Sequence, residues 1–228
     1  MPADAWLFDV DLPFEDIAAL HAVISRGERI RAGQFRFARD RNRFIARRGR
    51  LRLLLASYLG VRAEDVVYTQ NAFGKPGVAG DDGLHFSLSH SHGVALCALA
   101  WERDVGCDLE WCDSELAEHE TAERLFSTEE QRRLRALPPE QWVEGFYNCW
   151  TRKEAFVKAL GLGLSHPLDS FDVSVAPDEA ATLLSPATGW SMHGFAPRPG
   201  YLAAVVVAGD DQPVRFRGAI PWRARSAA

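Results

Sequence analysis

The sequence predicts an α+β fold, on three observations. Apolar residues recur at helical spacing over 14–31, 34–59 and 141–160. Alternating or wholly apolar runs at 5–10, 84–89, 94–101 and 105–111, and again near 168–175, 189–195, 201–208 and 213–220, read as strands. The two kinds of segment are mixed without a regular βαβ alternation, which disfavours a doubly wound parallel sheet.

Each element has its own reason. Trp6-Leu7-Phe8 ahead of Asp9 form a short strand, and Ile17, Leu20, Val23 and Ile24 stripe the first helix. In the second helical stretch Phe44, Leu51, Leu55 and Tyr58 share one face, arginines cover the others, and Gly60 supplies the C-terminal cap. Lys75-Pro76-Gly77 and Gly80-Asp81-Asp82-Gly83 are turns. Leu84, Phe86 and Leu88 alternate with His85, Ser87 and Ser89, a half-buried strand. Val94 to Trp101 is nearly all apolar, and Glu102-Arg103-Asp104 turns it into a partner strand, Val105 to Trp111. Residues 114–136 read as exposed helix, with a start at Ser127-Thr128-Glu129-Glu130, and Pro138-Pro139 breaks it. The helix at 141–160 stops at Gly161-Leu162-Gly163; turns at 197–200 and 209–211 divide the strands that follow.

Composition narrows the class. A chain of 228 residues, 47% hydrophobic and 25% charged, supports one sizeable core or two small halves packed together. No run approaches the ~18 apolar residues of a membrane span, and Met1 to Asp16 lacks the pattern of a signal peptide. Cys97, Cys107, Cys112 and Cys149 form no CxxC pair and read as reduced, cytosolic thiols. The net charge of −5 is unevenly spread: residues 26–52 hold 11 arginines against Glu28 and Asp40, or +9, leaving −14 elsewhere. One basic segment in an acidic chain suggests a local anionic ligand over nucleic-acid binding. Of 26 basic residues only Lys75, Lys153 and Lys158 are lysines, which suggests positions where a compact ammonium is wanted.

Three segments carry chemistry. In Val105 to Trp111, strand alternation puts Asp108 and Glu110 on one face and Cys107, Leu109 and Trp111 on the other. Such a pair is either a solvated acidic face or a cation site. In the helix at 141–160, Glu154 falls inside the apolar stripe of Val143, Phe146, Tyr147, Trp150 and Val157, with Lys158 at its edge. A carboxylate there is costly unless paired or on a metal; the alternative, a Glu154–Lys158 pair on the helix surface, is disfavoured by that position. Phe86 to His92 gathers serines and histidines at a strand end, as a polar terminus or an anion cradle. Asp108, Glu110 and Glu154 are hard oxygen donors suited to Mg²⁺. Lys75, Lys158, Ser89, His90 and an arginine-rich helix suit phosphate. The combination points to a magnesium-bound diphosphate and phosphoryl-type transfer.

The sequence resembles the 4′-phosphopantetheinyl transferases of the surfactin-synthetase (Sfp) type. Four motifs carry the resemblance in order: Gly74-Lys75-Pro76, Phe86 to Ser91, Gly106 to Glu110, and Trp150 to Lys158 followed by Gly161 and Gly163. They span about 90 central residues, and the last 55 match only in general character. The resemblance implies a cytoplasmic monomer of two similar α+β halves in pseudo-twofold arrangement, 1–103 and 104–228, with the active site between them. It implies a Mg²⁺-dependent enzyme of the holo-[acyl-carrier-protein] synthase type, with Mn²⁺ as a possible substitute and coenzyme A as co-substrate. The phosphopantetheine arm would pass to a serine of an acyl or peptidyl carrier domain in fatty-acid, polyketide or nonribosomal-peptide synthesis, with adenosine 3′,5′-bisphosphate leaving.

Residue by residue, the resemblance implies that Asp108, Glu110 and Glu154 hold the metal. Glu154 would also be the base and Lys158 the diphosphate's counter-charge. Ser89, His90 and Arg43 would contact the 3′-phosphate, with Arg41, Arg47 and Arg48 close by in sequence, and Lys75 would lie near the adenine and phosphates. An acidic carrier would dock along Trp111, Leu116, Leu125 and Phe126, with Arg124, Arg132 and Arg133 alongside. Two other readings compete. One is a non-catalytic carrier- or nucleic-acid-binding module. The other is a zinc hydrolase built on His90, His92 and Cys107, Asp108 or Cys112.

Overall fold

The computed structural model describes residues 1–80, 83–185 and 188–218. Asp81 and Asp82 of the expected turn, and 219–220 of the expected last strand, lie outside the described residues. The chain runs β1 (Ala3–Asp9), α1 (Phe14–Val23), α2 (Arg26–Gly33), α3 (Ala38–Leu59), β2 (Tyr68–Gln70), β3 (Pro76–Val78), β4 (Leu84–Ser91), β5 (Val94–Trp101) and β6 (Val105–Trp111). It continues with α4 (His119–Leu125), α5 (Thr128–Arg135), α6 (Trp142–Leu160), β7 (Asp172–Val173), β8 (Leu183–Ser185), β9 (Trp190–Phe195), β10 (Tyr201–Ala208) and β11 (Val214–Arg217). The mixture is α+β, as the sequence predicts.

Two sheets, ordered β11-β1-β5-β4 and β6-β10-β9, form the centre. Strand alternation explains how they stack. In β5, Val94, Leu96, Ala98 and Ala100 face the second sheet, while Ala95, Cys97 and Leu99 join the core beneath α1 and α3. In β10, Tyr201, Ala203, Val205 and Val207 meet the first sheet, and Leu202, Ala204 and Val206 meet α6. The layers are therefore helices, sheet, sheet, helix. The last described strand, β11, pairs in parallel with β1, and Arg215 and Arg217 close on the buried Asp4 at 2.8 and 3.0 Å.

Several boundaries differ from expectation. The first helical stretch is two helices, because Ile24 is extended and Ser25 caps α2 through a capping box with Glu28. The stretch 114–136 also divides, at Phe126, whose ring is 2% exposed and packs against Phe146. Residues 168–175 hold a short 3₁₀ turn and only two strand residues. β5 and β6 are not a hairpin pair: the ladder of β6 belongs to β10, from Trp111↔Tyr201 to Val105↔Val207. The reason is that β6 turns Val105, Cys107 and Leu109 into the layer between the sheets.

The opposite face of β6, bearing Gly106, Asp108 and Glu110, lies under α6. At Gly106 a Cβ would stand 2.0 Å from the carbonyl oxygen of Ala155 and 2.3 Å from the nitrogen of Ala159. Only a glycine lets this strand touch the backbone of α6. Buried residues surround α6 on nearly all sides. Its fully buried Lys153 meets Glu130 at 2.7 Å, donates to the carbonyls of Leu168 and Phe171, and sits 4.0 Å from the Phe171 ring centre. Glu130 also accepts from the backbone of Ser127 and Val173. Breaking one partner of such a pair leaves an uncompensated charge. Lys153→Met should therefore cost about 3–5 kcal/mol in urea unfolding, and Glu130→Gln added to it should recover part of the loss. A double variant no more stable than the single one would contradict this account.

Candidate active site

β4 and β6 run side by side without sharing a backbone ladder, and serines at every second position of β4 join them. Ser87 Oγ accepts from the amide of Cys107 at 3.1 Å. Ser89 Oγ donates to Asp108 Oδ1 at 2.7 Å. Ser91 Oγ donates to Glu110 Oε2 at 2.8 Å and accepts from the amide of Trp111 at 3.0 Å.

The acidic face of β6 is not a solvated surface. Asp108 is 2% exposed, and its Oδ1 meets Lys158 Nζ at 2.5 Å. Its Oδ2 is buried with no hydrogen-bond partner among the described residues. Burial opposes the charge on Lys158, but the charge and hydrogen bond of Asp108 outweigh it and raise the ammonium pKa. Burial first, and then the negative charge of Asp108, pushes Glu110 up to about 7. Burial likewise raises Glu154, with Asp108 adding to the rise and Lys158 opposing it. The surface pair Glu154–Lys158 does not form; Lys158 reaches across to β6 instead.

The carboxylates Asp108, Glu110 and Glu154 thus share one ammonium. An orphaned buried carboxylate oxygen and two raised carboxyl pKa values are what hard oxygen donors show when counter-charge is lacking, and the set fits a divalent cation of the Mg²⁺ kind. Among the described residues no three His, Cys, Asp or Glu side chains are already gathered closely enough to hold an ion. The zinc alternative fares worse on chemistry. Cys107 is sealed in the core with its thiol donating to the carbonyls of Ser87 and Leu96, and His92 packs against Trp111.

Beside the acidic face lies a cationic one. His90 sits at the rim with part of its surface open to solvent; the protein packed around its ring first, and then the charges of Arg47, Lys158 and Arg43, lower its pKa to about 4. Arg43 is held by Asp11 through two 2.6 Å hydrogen bonds. Arg47, one turn further along α3, is half-buried and forms no ion pair among the described residues. Its own pKa is lowered to about 10, mainly by burial. Sequence reasoning singled out Arg43 and left Arg47 among its neighbours; the i, i+4 spacing was the available signal.

Three cavities border these groups. One of 390 Å³ is lined by Gln70, Lys75, Pro76, His85, Phe86 and Asp104. Lys75 lines it, but its ammonium turns to the carbonyl of Ala159, at 2.7 Å, and to Asp104, at 3.2 Å. A second, of 470 Å³, has Glu154 and Lys158 in its wall with Leu125, Val157, Pro167 and Leu168. A third, of 280 Å³, lies beside Glu110, between Leu116, Phe146, Tyr147 and Trp150. Of the expected docking residues, Leu116 is 65% and Trp111 38% exposed, whereas Phe126 belongs to the core. Arg132 and Arg133 both pair with Glu129.

The cationic rim has a measurable signature. With a folded pKa near 4 against 6.5 unfolded, His90 is taken up neutral. Between those values the unfolded chain binds more protons, so this group's contribution to stability falls as pH drops from about 6.5 towards 4. The His90 ring should titrate below the ordinary 6.5 by NMR, and inorganic pyrophosphate should raise that midpoint. An unperturbed midpoint near 6.5 would remove the cationic pressure from the account.

Comparison with known proteins gives the geometry a family. The family model of the 4′-phosphopantetheinyl transferase superfamily matches residues 104–206. The 4′-phosphopantetheinyl transferase HetI of Nostoc sp. is 39% identical over 215 residues, covering 92% of this chain and 90% of that protein. The 4′-phosphopantetheinyl transferase Sfp of Bacillus subtilis is 28% identical, covering 90% and 91%. Among solved structures, a holo-(acyl-carrier-protein) synthase from Bacillus anthracis in complex with CoA (3′,5′-ADP) aligns with a TM-score of 0.39 at 20% identity, covering 46% of this chain and 95% of that one. With a relative this similar along nearly its whole length, the chain belongs to the 4′-phosphopantetheinyl transferase superfamily.

Proposed function

We infer that this chain transfers the 4′-phosphopantetheine arm of coenzyme A to a serine hydroxyl of an acyl or peptidyl carrier domain, with adenosine 3′,5′-bisphosphate as the other product. The observation that carries the reading is the Asp108–Lys158 pair, which stands where the acidic face of β6 and α6 meets the cationic rim of His90 and Arg47. A diphosphate bridging the two finds positive charge on one side and hard oxygen donors on the other.

Asp108, Glu110 and Glu154 are the groups that would hold Mg²⁺, with Mn²⁺ suiting the same donors. When bound, the ion neutralises charge on the diphosphate. The chain's own residues supply the rest. Lys158 balances charge at the diphosphate, and its buried setting strengthens that interaction. Ser89, His90, Arg43 and Arg47 form the cradle for the 3′-phosphate. The cavity walled by Pro76, Phe86 and the stem of Lys75 takes the adenine. Glu154, raised in pKa by burial, accepts the proton of the carrier serine. The serine oxygen bonds to the phosphorus that bears the pantetheine arm, and that phosphorus parts from the bridging oxygen of the diphosphate.

The carrier docks beside Glu110 and Glu154, where exposed Leu116 lines the cavity next to Glu110, exposed Trp111 follows Glu110 on the strand, and Arg124, in the wall of the cavity next to Glu154, offers charge to an acidic partner. We place the protein in the cytoplasm as a monomer, with neither nucleic acid nor membrane as partner. Four free cysteines accord with a reducing compartment, and no helix among the described residues is long and apolar enough to cross a membrane.

The test is incubation with coenzyme A, Mg²⁺ and an apo carrier protein, read as a mass gain of one arm. Glu154→Gln keeps the shape and removes the base; it should lower transfer at least ~10²-fold. Activity within a few-fold of wild type would take Glu154 out of the mechanism. Leu116→Asp should raise the carrier KM and leave coenzyme A binding alone; an unchanged carrier KM would move the docking surface elsewhere.

A further inference from the structure

All three lysines of the chain touch α6 or arise from it. Lys153 and Lys158 belong to the helix, and Lys75 reaches its C-terminal end from a distant turn. The last carbonyls of a helix have no partner within it and carry its negative pole. In α6 the turn between β2 and β3 supplies partners for two terminal carbonyls. Lys75 Nζ donates to Ala159 O at 2.7 Å, and Asn71 Nδ2 donates to Gly161 O at 2.8 Å.

The turn is built to hold that position. Asn71 Oδ1 accepts from the amides of Phe73 and Lys75, both at 2.9 Å, and the Asn71 amide donates to Lys75 O at 3.0 Å. Gly161, in a left-handed conformation with φ of 67°, leaves no slack: a Cβ there would lie 2.7 Å from Lys75 Cδ and 3.0 Å from Asn71 Nδ2. The same ammonium reaches Asp104, the residue before β6, and Asp104 also meets His85 Nδ1 at 3.2 Å. Lys75, Asp104 and His85 all line the 390 Å³ cavity.

We propose that Lys75 is a positioning residue: with Asn71 it latches the wall of the nucleotide cavity to the C-terminal end of α6 and to the start of β6. The latch sets where Lys158 and Glu154 stand relative to Asp108 and transmits occupancy of the cavity to the catalytic helix. The adjacency is direct. Ala159 follows Lys158 in α6, and Asp104 lies four residues before Asp108 on the strand that faces it. The inference rests on the transfer reading for its kinetic test, but the coupling itself is read separately.

The discriminating variant is Lys75→Met, which keeps the stem and removes the ammonium. Positioning predicts kcat at saturating coenzyme A lower by about tenfold or more, with the Kd for adenosine 3′,5′-bisphosphate within about threefold of wild type. Lys75→Arg, which restores a donor, should recover part of kcat. Asn71→Ala should lower kcat in the same way, and the double variant should fall little further, because both act through one joint. Independently of turnover, the bisphosphate should slow amide hydrogen exchange in the last turn of α6 in the wild-type protein, and fail to do so in Lys75→Met. A Kd about tenfold weaker with kcat unchanged would make the Lys75 ammonium a ligand contact and overturn the proposal, as would kcat and exchange both unchanged. Should Lys75→Met fail to fold, Lys75→Arg and Asn71→Ala carry the same comparisons. A wild-type protein that transfers no arm yet shows the bisphosphate-dependent exchange sinks the transfer reading and leaves the latch standing.

Discussion

The contact of β6 with α6 at Gly106 is the constraint on which the site depends. Backbone meets backbone there, with no side chain between strand and helix. That approach brings Asp108, two residues on, under the helix and within 2.5 Å of Lys158. A larger residue would lift α6, and every charge it carries, away from the strand. The cost of burying those charges is offset where a cation has a fixed partner: Lys153 has Glu130 and Lys158 has Asp108, while Arg152 ends on the carbonyl and hydroxyl of Ser174.

The sequence disclosed the parts of this arrangement more readily than their joints. Alternation in β6 separated Asp108 and Glu110 from Cys107 and Leu109, and the structure keeps that division. What covers the acidic face was not legible, because nothing local in Val105 to Trp111 says that the helix beginning at Trp142 will pack on it. Glu154 stood out because a carboxylate in an apolar stripe is costly. The true partner of Lys158 did not, since helical spacing offers Glu154 four residues away and says nothing of a strand elsewhere. The β5–β6 hairpin misled for a related reason. Short turn chemistry at Glu102 to Asp104 fits a hairpin, but the burial of Val105, Cys107 and Leu109 between two sheets decides the pairing.

Charge type is sorted by role. The arginines crowd the N-terminal helices, where planar guanidinium groups stack on rings and fork onto carboxylates, as Arg48 does over Tyr68 and Arg43 with Asp11. The lysines serve where a compact ammonium must end on carbonyl oxygens or on a single carboxylate in a confined space. A change from lysine to arginine at these three positions alters geometry even though charge is kept.

The serine seam between β4 and β6 has a further consequence for how the two sheets are related. A backbone ladder fixes strand spacing near 4.8 Å and admits no adjustment. Ser87, Ser89 and Ser91 replace that ladder with hydroxyls on rotatable bonds. The two strands are joined by links that can be lengthened, shortened or released one at a time, by a single methyl group or the loss of one oxygen, while both sheets keep their own hydrogen bonding intact. The separation of β4 from β6 is in this sense a tunable dimension, set by side chains rather than by a backbone ladder.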